Sequence, residues 1–322
     1  MVSLAPKIYD RIYPYVDAAN FKNAHEGKVV LITGAARGIG QKTALHFAMA
    51  GAATLVLLDL QLANLAETVG LCKAQGARAL PYACDVSKQE QVDTVFDHVL
   101  AEVGGIDILI NVAGVCNAKP ILLETFSTIW RDIEINLGGV ILTTMKVLPG
   151  MKARGRGCII NMASRAGTVT VPYLASYGAS KAAVIKFTES VQKDLDTDGL
   201  GDKIQLYALH PGAVRTDLSE RTMDPAVAAA YPEFAANRPK WVENFNTAVD
   251  LAGAVCVFLA TGRVGNSMRG RYLDCEHDME AFMREGAEQE ILSGNLHTLE
   301  VRFLGGLPND GGSSSNLFRF EE

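Results

Sequence analysis

The chain has 322 residues, 48% of them hydrophobic, and a formal net charge of −6 at pH 7. That is enough apolar material for one large α/β domain or two small ones. A negative balance without a basic run argues against nucleic acid and anionic membrane surfaces as partners, and no apolar run approaches the roughly 18 residues that span a bilayer.

The first residues, Met1 to Lys7, lack the long apolar core of a signal peptide, and the final Phe320-Glu321-Glu322 is no peroxisomal address. The six cysteines (Cys72, Cys84, Cys116, Cys158, Cys256 and Cys275) are scattered without a C-x-x-C, several of them within apolar segments. They read as reduced core residues of an intracellular, cytoplasmic protein.

Residues 1–27 are polar with scattered tyrosines and are expected to form an arm on the domain surface, with a short helix or turn over Asp17 to His25. Lys28 to Thr33 is a β-rich run that ends in Gly34-Ala35-Ala36-Arg37-Gly38-Ile39-Gly40, and a helical pattern follows through Ala44, Leu45, Phe47 and Ala48. Strand, glycine loop and helix in that order form the setting of a dinucleotide fingerprint. Glycines let the backbone approach a pyrophosphate, and the helix N-terminus supplies amide donors and a favourable dipole. A second strand, Thr54 to Leu58, ends at Asp59, close to 20 residues beyond Gly40. A carboxylate there accepts hydrogen bonds from adenosine ribose hydroxyls and repels a 2′-phosphate. Leu60 and Gln61 add no positive charge, which favours NAD(H).

Gln61 to Gln75 reads as a helix, Ala77 to Cys84 as a third strand and Lys88 to Val103 as another helix, with Asp85 a candidate cap. Ile106 to Ile110 is a fourth buried strand that runs into Asn111-Val112-Ala113-Gly114, and Cys116 with the loop after it is placed against the substrate. From Thr125 to Met151 apolar residues recur at helical spacing, which predicts one long helix. Asn136 followed by Gly138-Gly139 is poor helix chemistry. Such a conflict marks either a functional position or an asparagine bonded inside the core.

The run Cys158 to Met162 has the character of a buried parallel strand, with Ser164 just past its carboxyl end, where open α/β sheets bind ligands. Tyr177 and Lys181, four apart, share one face of a helix that continues through Val184, Phe187 and Val191. A phenol of pKa near 10 is only about 0.1% ionised at pH 7, so it needs a neighbouring cation to serve as a base. A hydroxyl such as that of Ser164 can hold a substrate oxygen in place. The plainer alternative is one core contact and one solvated charge.

A sixth strand, Ile204 to Leu209, is broken sharply by Pro211 and Gly212, with His210 read as structural. Leu218 to Asn246 shows no strong period but carries Met223, Tyr231, Phe234, Trp241 and Phe245. Thr247 to Ala260 is a buried helix and Arg271 to Asp274 an edge strand. Cys275-Glu276-His277-Asp278 offers metal-ligand types without a second cluster at a suitable spacing, so no metal is expected. A helical pattern over Met279 to Leu292 and a flexible Asp310 to Ser315 tail complete the chain.

Together the Thr33-Gly34-x-x-x-Gly38-x-Gly40 loop, Ser164, and Tyr177-x-x-x-Lys181 resemble the short-chain dehydrogenase/reductase family over roughly residues 28–275. The resemblance implies a Rossmann-type, doubly wound parallel α/β sheet in one domain, with residues 218–246 as a substrate lid and 276–322 as an extension like that of longer fungal members. It implies that Tyr177 is the general acid/base, that Lys181 lowers its pKa and binds the nicotinamide ribose, and that Ser164 orients the substrate oxygen. Asn136 would complete a proton relay through water. The cofactor contacts it implies are Gly34, Arg37, Gly38, Ile39, Gly40, Asp59, Asp85, Val86, Asn111, Ala113, Gly114, Tyr177, Lys181, Pro211, Gly212, Val214 and Thr216. Val112 stands where the family usually has a second asparagine, although small Ala113 and Gly114 still permit close approach. Arg37 occupies a position that often contacts a 2′-phosphate, which keeps NADP(H) open beside NAD(H).

The expected activity is therefore interconversion of a secondary alcohol and a ketone. Non-catalytic dinucleotide sensing is the alternative, and a dehydratase or epimerase using the same tyrosine is a third class. An apolar lid suggests a small-molecule substrate with a hydrophobic body, unless that segment simply packs on its own domain. The helices around Ile133 to Met145 and Val184 to Val191 would form a homodimer or homotetramer interface, as in the family.

Overall fold

Successive residues of the central strands are buried on opposite sides, as a sheet covered on both faces requires. Val30 and Ile32 pack with Phe47 and Phe258 on one side, while Leu31, Val56 and Leu58 pack with Phe96, Met151 and Leu195 on the other. In the computed structural model, which describes residues 7–220 and 223–301, these strands belong to one parallel sheet. They are β1 (Val29–Thr33), β2 (Thr54–Asp59), β3 (Arg78–Ala83), β4 (Ile108–Asn111), β5 (Gly157–Met162), β6 (Ile204–His210) and β7 (Tyr272–Asp274). Their order is β3-β2-β1-β4-β5-β6-β7, every neighbouring pair parallel. This is the doubly wound Rossmann-type arrangement expected from the sequence. It reverses between β1 and β4, where such sheets open a crevice at their carboxyl edge.

The helices in chain order are α1 (Gly38–Met49), α2 (Ala66–Ala74), α3 (Gln89–Val103), α4 (Phe126–Ile133), α5 (Gly139–Arg154) and α6 (Ala175–Thr197). After β6 come α7 (Asp217–Glu220), α8 (Pro225–Ala230), α9 (Pro232–Glu243) and α10 (Leu251–Leu259), and α11 (Ala287–Ser293) follows β7. Residues of α1 and α10 contribute to the core on one face, and residues of α3, α5 and α6 to the core on the other.

Three segments differ from the sequence expectation. The single helix anticipated from Thr125 to Met151 is two, α4 and α5, joined by a π-helical turn at Glu134–Gly138. Asn136 lies within that turn, fully buried. Its amide bonds the chain near Val115, and a widened turn is how a helix accommodates an inward pull of that kind. The segment 218–246, which showed no period, is largely helical. Its helices are short, and Pro225 and Pro232 each stand at the start of one, where a missing N–H costs nothing.

The N-terminal arm does more than lie on the surface. Tyr13, Val16, Ala18 and Phe21 are buried, and the rings of Tyr15 and Phe21 pack on Phe258 of α10. Tyr13 Oη accepts from the Met279 N–H and donates to the His277 carbonyl, so the arm and the segment after β7 hold each other. Met279 and Ile291 of that segment join the same core. The tail expected at Asp310 to Ser315 falls outside the described residues. Among the described residues no helix is long and apolar enough to cross a membrane.

Candidate active site

Three loops meet at the carboxyl edge of the sheet. The first follows β1. Gly34 has φ +67°, and a Cβ there would meet the Ala113 backbone at 2.9 Å. A Cβ on Gly40 would stand 2.0 Å from the Gly34 carbonyl oxygen. Only glycine lets the loop close on itself and lie against the chain after β4. Asp59, at the end of β2, supports the loop from the side. One carboxylate oxygen accepts from the Ala36 N–H at 3.0 Å and the other from the Leu60 N–H at 2.8 Å. Each oxygen keeps a lone pair for a further donor. Arg37 pairs with Asp217 at the start of α7.

The second loop follows β4. The N–H groups of Val112 and Ala113 both donate to Thr33 Oγ1, at 3.1 and 3.2 Å. Asn111 is buried, and its side chain is engaged within the sheet. Its Nδ2 donates to Asn161 Oδ1, and its Oδ1 accepts from Thr143 Oγ1. Gly114 closes the loop over the core of the site, where an added Cβ would come within 3.0 Å of Asn136 Oδ1 and 3.7 Å of Lys181 Nζ. Asn136 in turn accepts from the Val115 N–H at 2.8 Å and donates to the Val115 carbonyl at 2.9 Å and to Ser180 Oγ at 3.1 Å. One amide thus binds the β4 loop to α6.

Further from the centre, Asp85 accepts from the N–H and hydroxyl of Ser87, capping the turn before α3 rather than the helix itself. Val86 is buried against Gly139 of α5. Both stand after β3, on the side of the sheet that holds Asp59.

The third loop follows β6. Pro211, Gly212, Val214 and Thr216 line a cavity of about 290 Å³ together with Ile39, Ser164, Tyr177 and His210. Gly212, at φ +84°, packs against Thr247, whose hydroxyl accepts from the Ala213 N–H. The Thr216 methyl reaches the glycine loop, 3.6 Å from where a Cβ on Gly38 would be.

Ser164 caps a short turn after β5, its Oγ accepting from the Ala166 N–H at 3.2 Å, and it lines the same cavity as Tyr177. Tyr177 stands in the first turn of α6. Lys181, one turn on, is buried and lies 5.7 Å from the centre of the Tyr177 ring, its Nζ donating to the Met162 carbonyl at 2.7 Å. Burial dominates both titrations. It pushes the phenol well above its ordinary value, against a smaller opposing pull from Ser164, and pushes the Lys181 ammonium down to about 8. In this chain without ligands the tyrosine is therefore held protonated.

The structure also assembles neighbours that the sequence did not single out. Asp132 of α4 is buried and accepts from the Ser176 hydroxyl at 2.7 Å and from Asn117 Nδ2 at 2.6 Å. It joins the residue before Tyr177 to the loop after β4. Of the run 275–278 only Glu276 belongs to the metal-type residues that converge among the described residues. They are His210, Asp274 and Glu276, whose ligand atoms lie within 4.8 Å of one another. Arg165 already serves both carboxylates, at 2.8 and 2.7 Å. Cys275 is buried, and its thiol is pushed far up.

The sequence pattern of the short chain dehydrogenase family matches residues 28–226, from β1 into α8. The chain belongs to the short-chain dehydrogenase/reductase family. A short chain dehydrogenase of Pseudocercospora fijiensis is 32% identical over 294 residues, covering 90% of this chain and 93% of its own length. The 3-oxoacyl-(acyl-carrier-protein) reductase FabG of Thermotoga maritima is 36% identical over 202 residues, 62% of this chain and 80% of that protein. A crystal structure of NAD+-bound xylitol dehydrogenase, 28% identical, superposes with a TM-score of 0.65 over 78% of this chain and 98% of the other. This short-chain dehydrogenase/reductase is thus an oxidoreductase of a family that uses NAD(P)(H). The glycine cradle, where a Cβ would collide, and the Asp59 carboxylate fit a dinucleotide.

Proposed function

We propose that the protein interconverts a secondary alcohol and a ketone, with Tyr177 moving the proton at the substrate oxygen. The observation that carries this reading is that Ser164 and Tyr177 both line the apolar cavity, with the buried Lys181 ammonium 5.7 Å from the centre of the tyrosine ring. Ser164 Oγ holds the substrate oxygen beside the phenol, which confines the reacting atom to hydrogen-bond reach of the proton it exchanges. With the phenol held protonated by burial, Tyr177 is set to deliver a proton to a carbonyl oxygen. In the reverse direction it takes the proton of the alcohol. Lys181 places a positive charge behind the ring and favours the phenolate. When bound, NAD(H) supplies or accepts the hydride and, oxidised, adds a second positive charge.

Asn136 acts as a positioning residue, since its amide atoms are occupied by Val115 and Ser180. NAD(H) is favoured over NADP(H) because Asp59 stands at the end of β2 while Arg37 is engaged by Asp217. The NAD+ in the similar xylitol dehydrogenase structure is consistent with this preference. The lid over residues 218–246 contributes Leu218, Trp241, Val242 and Phe245 to the cavity, which suits a substrate with a hydrophobic body.

The test is Tyr177→Phe, assayed on a panel of hydrophobic ketones and alcohols. Turnover should fall by a factor on the order of 10² to 10⁴, while NADH affinity by fluorescence titration stays close to that of the parent. Undiminished turnover would remove Tyr177 from the chemistry.

A further inference from the structure

The cavity in front of Ser164 and Tyr177 is walled by apolar side chains, among them Val169, Leu174, Leu218, Trp241 and Phe245. Two arginines also line it. Arg165 is committed, because its guanidinium donates to Asp274 and Glu276. Arg238 is not. It projects from α9, half-buried, and its Nη2 donates to the Ser219 carbonyl at 3.1 Å. No carboxylate among the described residues pairs with it, and no Asp or Glu among them lines this cavity. Arg238, Cys116 and Ala118 also border a second cavity of about 470 Å³, whose wall includes Glu124, Asp132 and Asp224, so the guanidinium stands where an apolar space meets a charged one.

A cation held partly out of water against one neutral carbonyl has most of its five N–H donors to offer. Desolvating such a charge without a partner is unfavourable, and a planar fork of donors matches a carboxylate in two-point contact. The apolar walls of the first cavity select a hydrophobic body, and among the described residues no acid on that wall accounts for a positive charge.

We propose that Arg238 is the recognition site for an anionic substrate group. The substrate class is then a hydrophobic keto acid or hydroxy acid, its reacting oxygen at Ser164 and Tyr177 and its carboxylate at Arg238. This rests on the reading of the cavity as the substrate site. Arg238 also ties α9 to Ser219 of α7, whose hydroxyl reaches the carbonyls of Val214 and Thr216.

The experiment is a calorimetric titration of the NADH-loaded protein with 4-oxo-4-phenylbutanoate and, separately, with its uncharged primary amide, with NADH oxidation followed on both. The parent protein should bind the acid at least about tenfold more tightly than the amide, as a charge-assisted contact requires, and less so at high salt. In Arg238→Met the acid-to-amide ratio should fall towards one, and Arg238→Lys should retain part of it. Because the ratio compares two ligands on one preparation, partial loss of folded protein does not alter it. A merely structural role for Arg238 would weaken both ligands alike, and that result would overturn the proposal. Equal affinities in the parent, or no saturable binding of the acid at millimolar concentration, would also overturn it. Reduction of both ketones with no preference for the acid would refute the anion site and leave the redox reading standing. Acid preference without turnover of either would support Arg238 and count against the chemistry assigned to Tyr177.

Discussion

Arg37 and Asp217 form an ion pair that links the glycine loop to the first turn of α7. That pairing engages Arg37, while Asp59 is bonded to the Ala36 and Leu60 N–H groups. On the proposed reading two charges would set the cofactor preference, a carboxylate that repels a 2′-phosphate and a guanidinium already paired.

The first prediction follows from that arrangement. Asp59→Ala should narrow the preference for NADH over NADPH, and Asp217→Ala should strengthen NADPH binding by releasing Arg37. Combined, the two should reverse the preference. Fluorescence titrations with both reduced cofactors would show it. Unaltered discrimination in Asp59→Ala would remove that residue from the ribose site. Both members of the ion pair are largely exposed, so the effect of Asp217→Ala should shrink as salt rises.

Asn136 supports a second prediction, on the assembly of the site. Asn136→Ala leaves the partly buried N–H and carbonyl of Val115 without their partner, each costing on the order of 1–3 kcal/mol. The melting temperature should fall, and the KM for substrate should rise because the β4 loop is no longer held to α6. Asn136→Asp keeps the acceptor for the Val115 N–H and loses the donors, so it should rescue part of the loss. A kcat that falls with KM and melting temperature unchanged would argue for a direct chemical role instead.

The sequence carried the sheet and the placement of the candidate site side chains because both are written in short-range patterns. The apolar runs that became β1, β2, β4, β5 and β6 are bounded by turn residues. Tyr177 and Lys181 are placed by helical spacing alone. What it could not carry depends on partners far along the chain. Asp217 finds Arg37 only once the loop after β6 lies beside the glycine loop. Asn136 signalled itself by poor helix chemistry, but nothing local named Val115 and Ser180 as its partners. Asp132 and Ser176 meet across two helices without any sequence signal. The tyrosines near the start read as a polar arm because their apolar rings and hydroxyls are satisfied by α10 and by residues 277–279. Between residues 223 and 246, short helices opened by prolines hold too few turns to show a period.

His210 sets an acid limit on stability. It is buried at the end of β6, where its Nδ1 accepts from the Arg165 N–H at 3.2 Å, and burial pushes its pKa down to about 4. Asp274 and Glu276 raise it and Arg165 and His277 lower it, all less than burial does. The folded value lies below the unfolded one of about 6.5, so between those values the unfolded chain binds more protons. The stability contributed by neutral His210 is present above pH 6.5 and is lost as pH falls towards about 4. It amounts to about 3 kcal/mol at most. Thermal melts at neutral pH and near pH 4.5 should show a smaller acid loss in His210→Gln than in the parent. An identical loss would move the acid sensitivity elsewhere.

The exposed side of α4 and α5 bears on how copies of the chain associate. Phe126 and Trp130, one turn apart, are 77% and 48% exposed, and their rings stack with centroids 5.8 Å apart. Leu122 before them and Met145 on α5 are 84% and 64% exposed. Single exposed apolar residues need no explanation, but two stacked aromatic rings beside further large apolar groups are unfavourable against water. Met145 belongs to the Ile133 to Met145 stretch expected to mediate assembly, and the proposal is that a second copy covers these exposed groups. Light scattering at micromolar concentration should then report a dimer or tetramer, and Phe126→Glu with Trp130→Glu should shift the mass towards the monomer. Charge placed on a face that is free in solution would leave the mass unchanged. A parent protein that is monomeric at that concentration would end the proposal, because the apolar patch would then be stable in water by itself.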